Sequence, residues 1–148
     1  MFDTVIFDWK RTLYDPDRKV LINGAVEILD LIKSKNIPIV LIGKGRADMQ
    51  QEVELLGVKK YFKEIVFTEG EKDPQVFKKF INKVPKNTLV IGDRVRSELE
   101  IGKKLGATTI WVKQGKFTIE KPENGYQEPN YMVSDLVECK MLLSSLPF

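Results

Sequence analysis

Thr4-Val5-Ile6-Phe7-Asp8-Trp9-Lys10-Arg11-Thr12-Leu13-Tyr14 is the stretch from which the fold of this 148-residue chain is read. Val5-Ile6-Phe7 is an unbroken apolar, β-forming run, the pattern of a strand covered on both faces. The run stops at a carboxylate. Open α/β sheets bind ligands at the carboxyl ends of their strands, and a lone buried carboxylate is costly unless it is paired, hydrogen-bonded or placed on a metal. On this stretch alone, Asp8 is as well read as a cap for the following turn as it is as the floor of a site.

Working outward, residues 9–23 read as loop, with Asp15-Pro16-Asp17 as a turn signal. Asn23 suits the N-cap of a helix whose apolar face is Val26, Ile28, Leu29, Leu31 and Ile32. Residues 37–42 form a second apolar strand, with Pro38 near its entry. Gly43-Lys44-Gly45 turns the chain into a helix over 46–56, closed by Gly57. A shorter strand is expected over 62–67. Asp73-Pro74 then supplies an N-cap and a first-turn proline for a helix over 75–82. Thr88-Leu89-Val90-Ile91 is another apolar strand, ending at Gly92-Asp93, and a helix over 97–105 follows. Residues 107–112 give the last strand. Residues 113–130 read as an irregular surface excursion, and 135–146 as a closing helix with Leu136, Val137, Met141 and Leu142 inward.

Strand and helix alternate throughout. The expected fold class is therefore α/β: one Rossmann-like, doubly wound parallel sheet of about five strands with helices on both faces, residues 1–148 forming a single domain.

Composition narrows the chemistry. The chain has no histidine and a single cysteine, Cys139. Ser-His and Cys-His catalysis, histidine metal sites, cysteine zinc clusters and internal disulfides are all excluded. Cys139 falls in an apolar helical stretch and reads as a packed thiol. Carboxylates, lysines, hydroxyls, backbone and a hard metal remain. The formal net charge of +3 is too mild to indicate nucleic acid by itself. No apolar run approaches the ~20 residues of a membrane span, and the N-terminus has no basic-then-apolar signal pattern. A cytoplasmic location is expected.

Two strands end in aspartate, Asp8 and Asp93. If those strands are neighbours, both carboxylates meet at one edge of the sheet, where a divalent cation would stabilise the pair as anions. Magnesium suits such a pair together with a phosphate oxygen. Glu98, at the head of a helix, is read first as an acid on the helix dipole and second as an outer anion of the site.

In this order the pieces resemble the haloacid dehalogenase (HAD) superfamily of phosphohydrolases. Residues 5–13 match its first motif, 40–45 the second, 71–77 the third and 90–98 the fourth; residues 106–112 and Gly115-Lys116 are similar to its usual ending. The resemblance implies an Mg²⁺-dependent phosphatase acting on a phosphomonoester through an aspartyl-phosphate. Asp8 would be the nucleophile, and Asp93 would hold the metal with Asp8 and the backbone carbonyl of Lys10. Lys72 would tether the phosphate, and the backbone N–H groups of Gly43, Lys44 and Gly45 could cradle it.

The departures from the family pattern are specific. Lys10 stands where its phosphatases carry an aspartate as general acid and base, and Arg11 where glycine is usual. Gly43 replaces a Ser or Thr that binds phosphate. In an ungapped alignment Glu71 falls at the third-motif lysine, and a one-residue deletion restores Lys72. Lys10 could donate a proton, or its charge could take the metal's place. The intervals that hold a cap domain in larger relatives are filled here by one loop and one helix, which implies a capless, open site. The alternative is a catalytically silent HAD-fold protein that binds a phosphorylated ligand or a protein partner. The expected partner is a phosphorylated substrate; no membrane is implied, and an oligomer is possible.

Overall fold

The computed structural model describes residues 1–148. β1 (Thr4–Phe7) lies in the middle of a six-stranded sheet. On one side of it run β4 (Ile39–Lys44) and the edge strand β5 (Glu64–Thr68); on the other run β6 (Thr88–Gly92), β7 (Thr108–Val112) and β8 (Tyr131–Val133). Every pairing in this sheet is parallel. The chain moves outward from β1 to β5 and then returns past β1 to wind in the opposite direction. The reversal lies between β1 and β6, and it opens a crevice at their carboxyl ends.

Side-chain alternation along the central strands explains why both faces are covered. Val5, Phe7, Leu41, Leu89 and Ile91 point into one apolar layer with α1 (Ala25–Ser34) and α5 (Leu136–Ser145). Ile6, Val40, Ile42 and Val90 point into the other, against Phe77 of α3 (Pro74–Lys78) and Leu99 of α4 (Glu98–Lys104). Two buried faces demand continuous apolar strands, which is what the sequence offers.

Several expectations need correction. The segment after Asp8 is not simply loop: β2 (Tyr14–Asp15) and β3 (Val20–Leu21) form a small antiparallel hairpin. α1 is capped by Gly24, not Asn23, at φ 92° and with no side-chain cap. A Cβ on Gly24 would lie 3.1 Å from that of Leu136, so glycine lets α1 approach α5 closely. α2 (Asp48–Leu55) and α3 are shorter than expected. The Asp73 cap is present, its carboxylate accepting the Gln75 N–H at 2.9 Å. The sheet gains a sixth strand, β8, directly after the 113–130 excursion. α5 buries Leu136, Cys139 and Leu143, while Val137 and Met141 face outward. Burial pushes the Cys139 thiol up to about 12, helped by the Asp135 and Glu138 carboxylates. No helix is long and apolar enough to cross a membrane.

Candidate active site

Because β1 and β6 are parallel neighbours with Phe7 opposite Ile91, the residues that follow them emerge side by side. Those residues are Asp8 and Asp93. The Asp8 N–H donates to the Ile91 carbonyl at 3.0 Å, and the Trp111 indole donates to the Asp93 carbonyl at 2.9 Å. Both aspartates are buried, at 5% and 2% exposure. Thr12, in the turn after Asp8, places its hydroxyl 3.0 Å from Asp8 Oδ2 and 3.4 Å from Asp93 Oδ1. A hydroxyl has one proton to give, and the shorter distance assigns it to Asp8.

Lys72 comes from the loop after β5. Its Nζ lies 2.5 Å from Asp8 Oδ1 and 2.8 Å from Glu98 Oε1. Lys72, not Glu71, therefore reaches the site; Glu71 is exposed at its edge. Glu98, the first residue of α4, is fully buried, and its Oε2 accepts the Arg94 N–H at 2.8 Å. Gly92 makes this possible, because any Cβ there would overlap the Glu98 carboxylate. Glu98 is thus the second anchor of Lys72, a role for which its position on a helix dipole gave little sign.

The cluster has more negative than positive charge. Asp8, Asp93 and Glu98 each place an oxygen within 4.8 Å of the others, and Lys72 is the one cation salt-bridged to them. Burial, followed by the Asp8 and Glu98 carboxylates, pushes Asp93 up to about 10 against the pull of Lys72. Burial and Asp8 likewise raise Glu98, opposed by Lys72 and the Arg94 N–H. Burial favours loss of the Lys72 proton, but Asp8 and Glu98 outweigh it and hold the ammonium above its ordinary value. Asp93 Oδ2 is buried with no hydrogen-bond partner. A hard oxygen-seeking dication fits this donor set, since it would satisfy that oxygen and offset the surplus charge.

These groups form the floor of a cleft of about 590 Å³. Lys10, Arg11 and Lys44 line it; Gly43 does not. Gly43 is buried in β4, where an added Cβ would come within 2.6 Å of the Phe67 ring and 3.0 Å of Trp9 Cβ. Phe67 thus fills the space a phosphate-binding Ser or Thr would need. The Gly45 N–H is also spent, donating to the Thr68 carbonyl at 2.9 Å. Of the anion cradle expected at 43–45, it is Lys44 that reaches the cleft.

The 113–130 excursion borders the cleft through Lys116 and Phe117. Arg94 donates to Glu120 Oε2 at 2.9 Å and lies 4.1 Å from the centre of the Phe117 ring. Nothing in the sequence pairs Arg94 with Glu120 so far along the chain, and that contact was not anticipated.

A family model described as HAD-hydrolase-like matches residues 70–139, a span containing Lys72, Asp93 and Glu98. An uncharacterized protein from Listeria monocytogenes serotype 4b superposes with a TM-score of 0.77 at 19% identity, over 97% of each chain. The HAD-hydrolase YfnB from Bacillus subtilis, in a form bound to magnesium, gives 0.76 at 14% identity, over 97% of this chain and 99% of that one. A β-phosphoglucomutase-like protein from Thermotoga maritima gives 0.74 at 17% identity, over 98% and 100%. At these identities the structural matches speak for the fold. No curated protein matches the sequence.

Proposed function

We propose that the chain is a member of the haloacid dehalogenase superfamily, whose family model matches residues 70–139, and that it is a capless phosphohydrolase that cleaves phosphomonoesters through an aspartyl-phosphate on Asp8. The observation that carries the reading is the meeting of Asp8, Asp93 and Lys72 at the carboxyl ends of β1 and β6. Asp8 attacks phosphorus, a bond forms from its carboxylate oxygen, and the bond to the leaving oxygen breaks. The leaving oxygen takes a proton. Water then attacks the phosphorus of the aspartyl-phosphate and gives up a proton, which restores the donor that protonated the leaving oxygen; inorganic phosphate leaves and the Asp8 carboxylate is regenerated. Lys72 neutralises charge on the phosphoryl oxygens, Thr12 orients Asp8, and Glu98 holds Lys72 in place. Asp8, Asp93 and the Lys10 carbonyl would hold Mg²⁺, which supplies further neutralisation of phosphoryl charge when bound.

Lys10 is the remaining proton donor candidate near Asp8. Without the carboxylic acid usual at that position, turnover is expected to be lower by ~10²–10⁴-fold than with it. The intervals between β1 and β4 and between β5 and β6 hold only the β2–β3 hairpin and short helices, leaving the cleft open to bulky leaving groups.

Lys10 and the Phe67-filled space beside Gly43 favour a second reading, a silent protein that binds a phosphorylated ligand or partner. Hydrolysis of an aryl phosphate with Mg²⁺ separates the two. Turnover abolished by Asp8→Asn supports the hydrolase. Turnover indifferent to that change removes Asp8 as nucleophile, and a wild type without turnover that still binds a fluoroberyllate supports the silent reading.

A further inference from the structure

We infer that the mouth of the cleft contains a second anion subsite, built by Arg11, Arg94 and Lys116 around the Phe117 ring, which takes a further phosphate or carboxylate group of the same substrate. The inference rests on the hydrolase reading for the word substrate; the subsite itself rests on backbone geometry and charge.

Arg11 is the first observation. It adopts φ 65°, in the left-handed region that a residue bearing a Cβ avoids and glycine occupies freely. The strained turn is nevertheless secured. The Arg11 N–H donates to the Tyr14 carbonyl at 2.6 Å, and the Gln114 side-chain amide donates to the carbonyls of Arg11 and Thr12, each at 3.1 Å. Strain held in place by its surroundings at the lip of a site points to use of the side chain.

Charge is the second. The Arg11, Arg94 and Lys116 cations lie 5.8, 4.1 and 5.2 Å from the centre of one ring, Phe117. Arg94 is matched by Glu120 at 2.9 Å. Arg11 and Lys116 are in no salt bridge. The ring face offers each cation modest attraction, and Arg11 and Lys116 have no carboxylate partner, so an entering oxyanion would find two cations free to bind it. All four residues line the same cleft as Asp8 and Lys72, so one small molecule can place one phosphate on the floor and a second oxyanion at the mouth.

The test compares fructose 6-phosphate with fructose 1,6-bisphosphate by titration calorimetry against full-length Asp8→Asn with Mg²⁺, which separates binding from turnover. The bisphosphate is expected to bind roughly tenfold more tightly at low salt, the scale of two partly screened charge pairs. That preference should shrink to near unity at about 0.5 M salt. Adding Arg11→Gly or Lys116→Gln should each cut the ratio several-fold. Arg11→Gly relieves the left-handed turn, so it should melt no lower than its parent, and a lost preference would not reflect lost folding. Equal affinities, a ratio untouched by both substitutions, or no binding of either sugar overturns the subsite. A preference that persists where the wild type releases no phosphate upholds the subsite and rejects the hydrolase. Phosphate release without a preference does the reverse.

Discussion

Two ammonium–carboxylate pairs of nearly equal length lie at opposite levels of the cleft. On the floor, Lys72 and Glu98 are 2.8 Å apart, with side chains 6% and 1% exposed. On the rim, Lys104 and Glu100 are 2.9 Å apart, with side chains 54% and 21% exposed. Distance alone would call them equivalent. Water screens the rim pair, and such pairs contribute between nothing and about 1 kcal/mol. The floor pair has given up its hydration, so removing either partner strands a dry charge. The same contrast separates the proposed roles: the floor would do chemistry because its charges are fixed and desolvated, whereas the mouth would select because Arg11 and Lys116 hold no carboxylate and stay within reach of water.

The sharpest way to break this contrast is at Lys10, where mouth meets floor. Lys10→Asp restores a carboxylic acid beside Asp8 and should raise aryl phosphate turnover by ~10²–10⁴-fold, read from initial rates with Mg²⁺. An unchanged rate would place the deficit elsewhere. Next comes Lys72→Met, which leaves Asp8 and Glu98 buried without their cation. It should cost roughly 3–5 kcal/mol of stability and lower the melting temperature by about 10 °C, with saturating Mg²⁺ returning part of the loss. Gly43→Ser should cost about 1–3 kcal/mol in denaturant unfolding because its Cβ enters the Phe67 ring. It should gain phosphate affinity only when Phe67→Ala makes room. Lys104→Met is the smallest, within about 0.5 kcal/mol of wild type; a cost like that of Lys72→Met would show that exposure does not set the scale.

How much of this could be read beforehand follows from where the information resides. The runs at 5–7, 39–42 and 89–91 are apolar because both sheet faces are covered, so the central strands and their terminal aspartates were legible. β8 was not: Tyr131-Met132-Val133 is three residues at an edge, with Met132 exposed. α5 was rotated in the reading because its buried positions include Cys139 and its exposed ones include Val137 and Met141, so hydrophobicity did not mark its inner face. The importance of Glu98 depends on the missing Cβ of Gly92, and the loss of the hydroxyl at position 43 on the ring of Phe67. Those are facts of packing between elements, and periodicity along one element cannot report them.

The Gln114 amide donates to two successive carbonyls, those of Arg11 and Thr12, in the turn after β1. That single side chain fastens the segment carrying Arg11 to the one carrying Lys116 and Phe117, so neither can swing without dragging the other. An entrance tied in this way should move as one jaw and not as two independent flaps, which would set the spacing an incoming molecule meets.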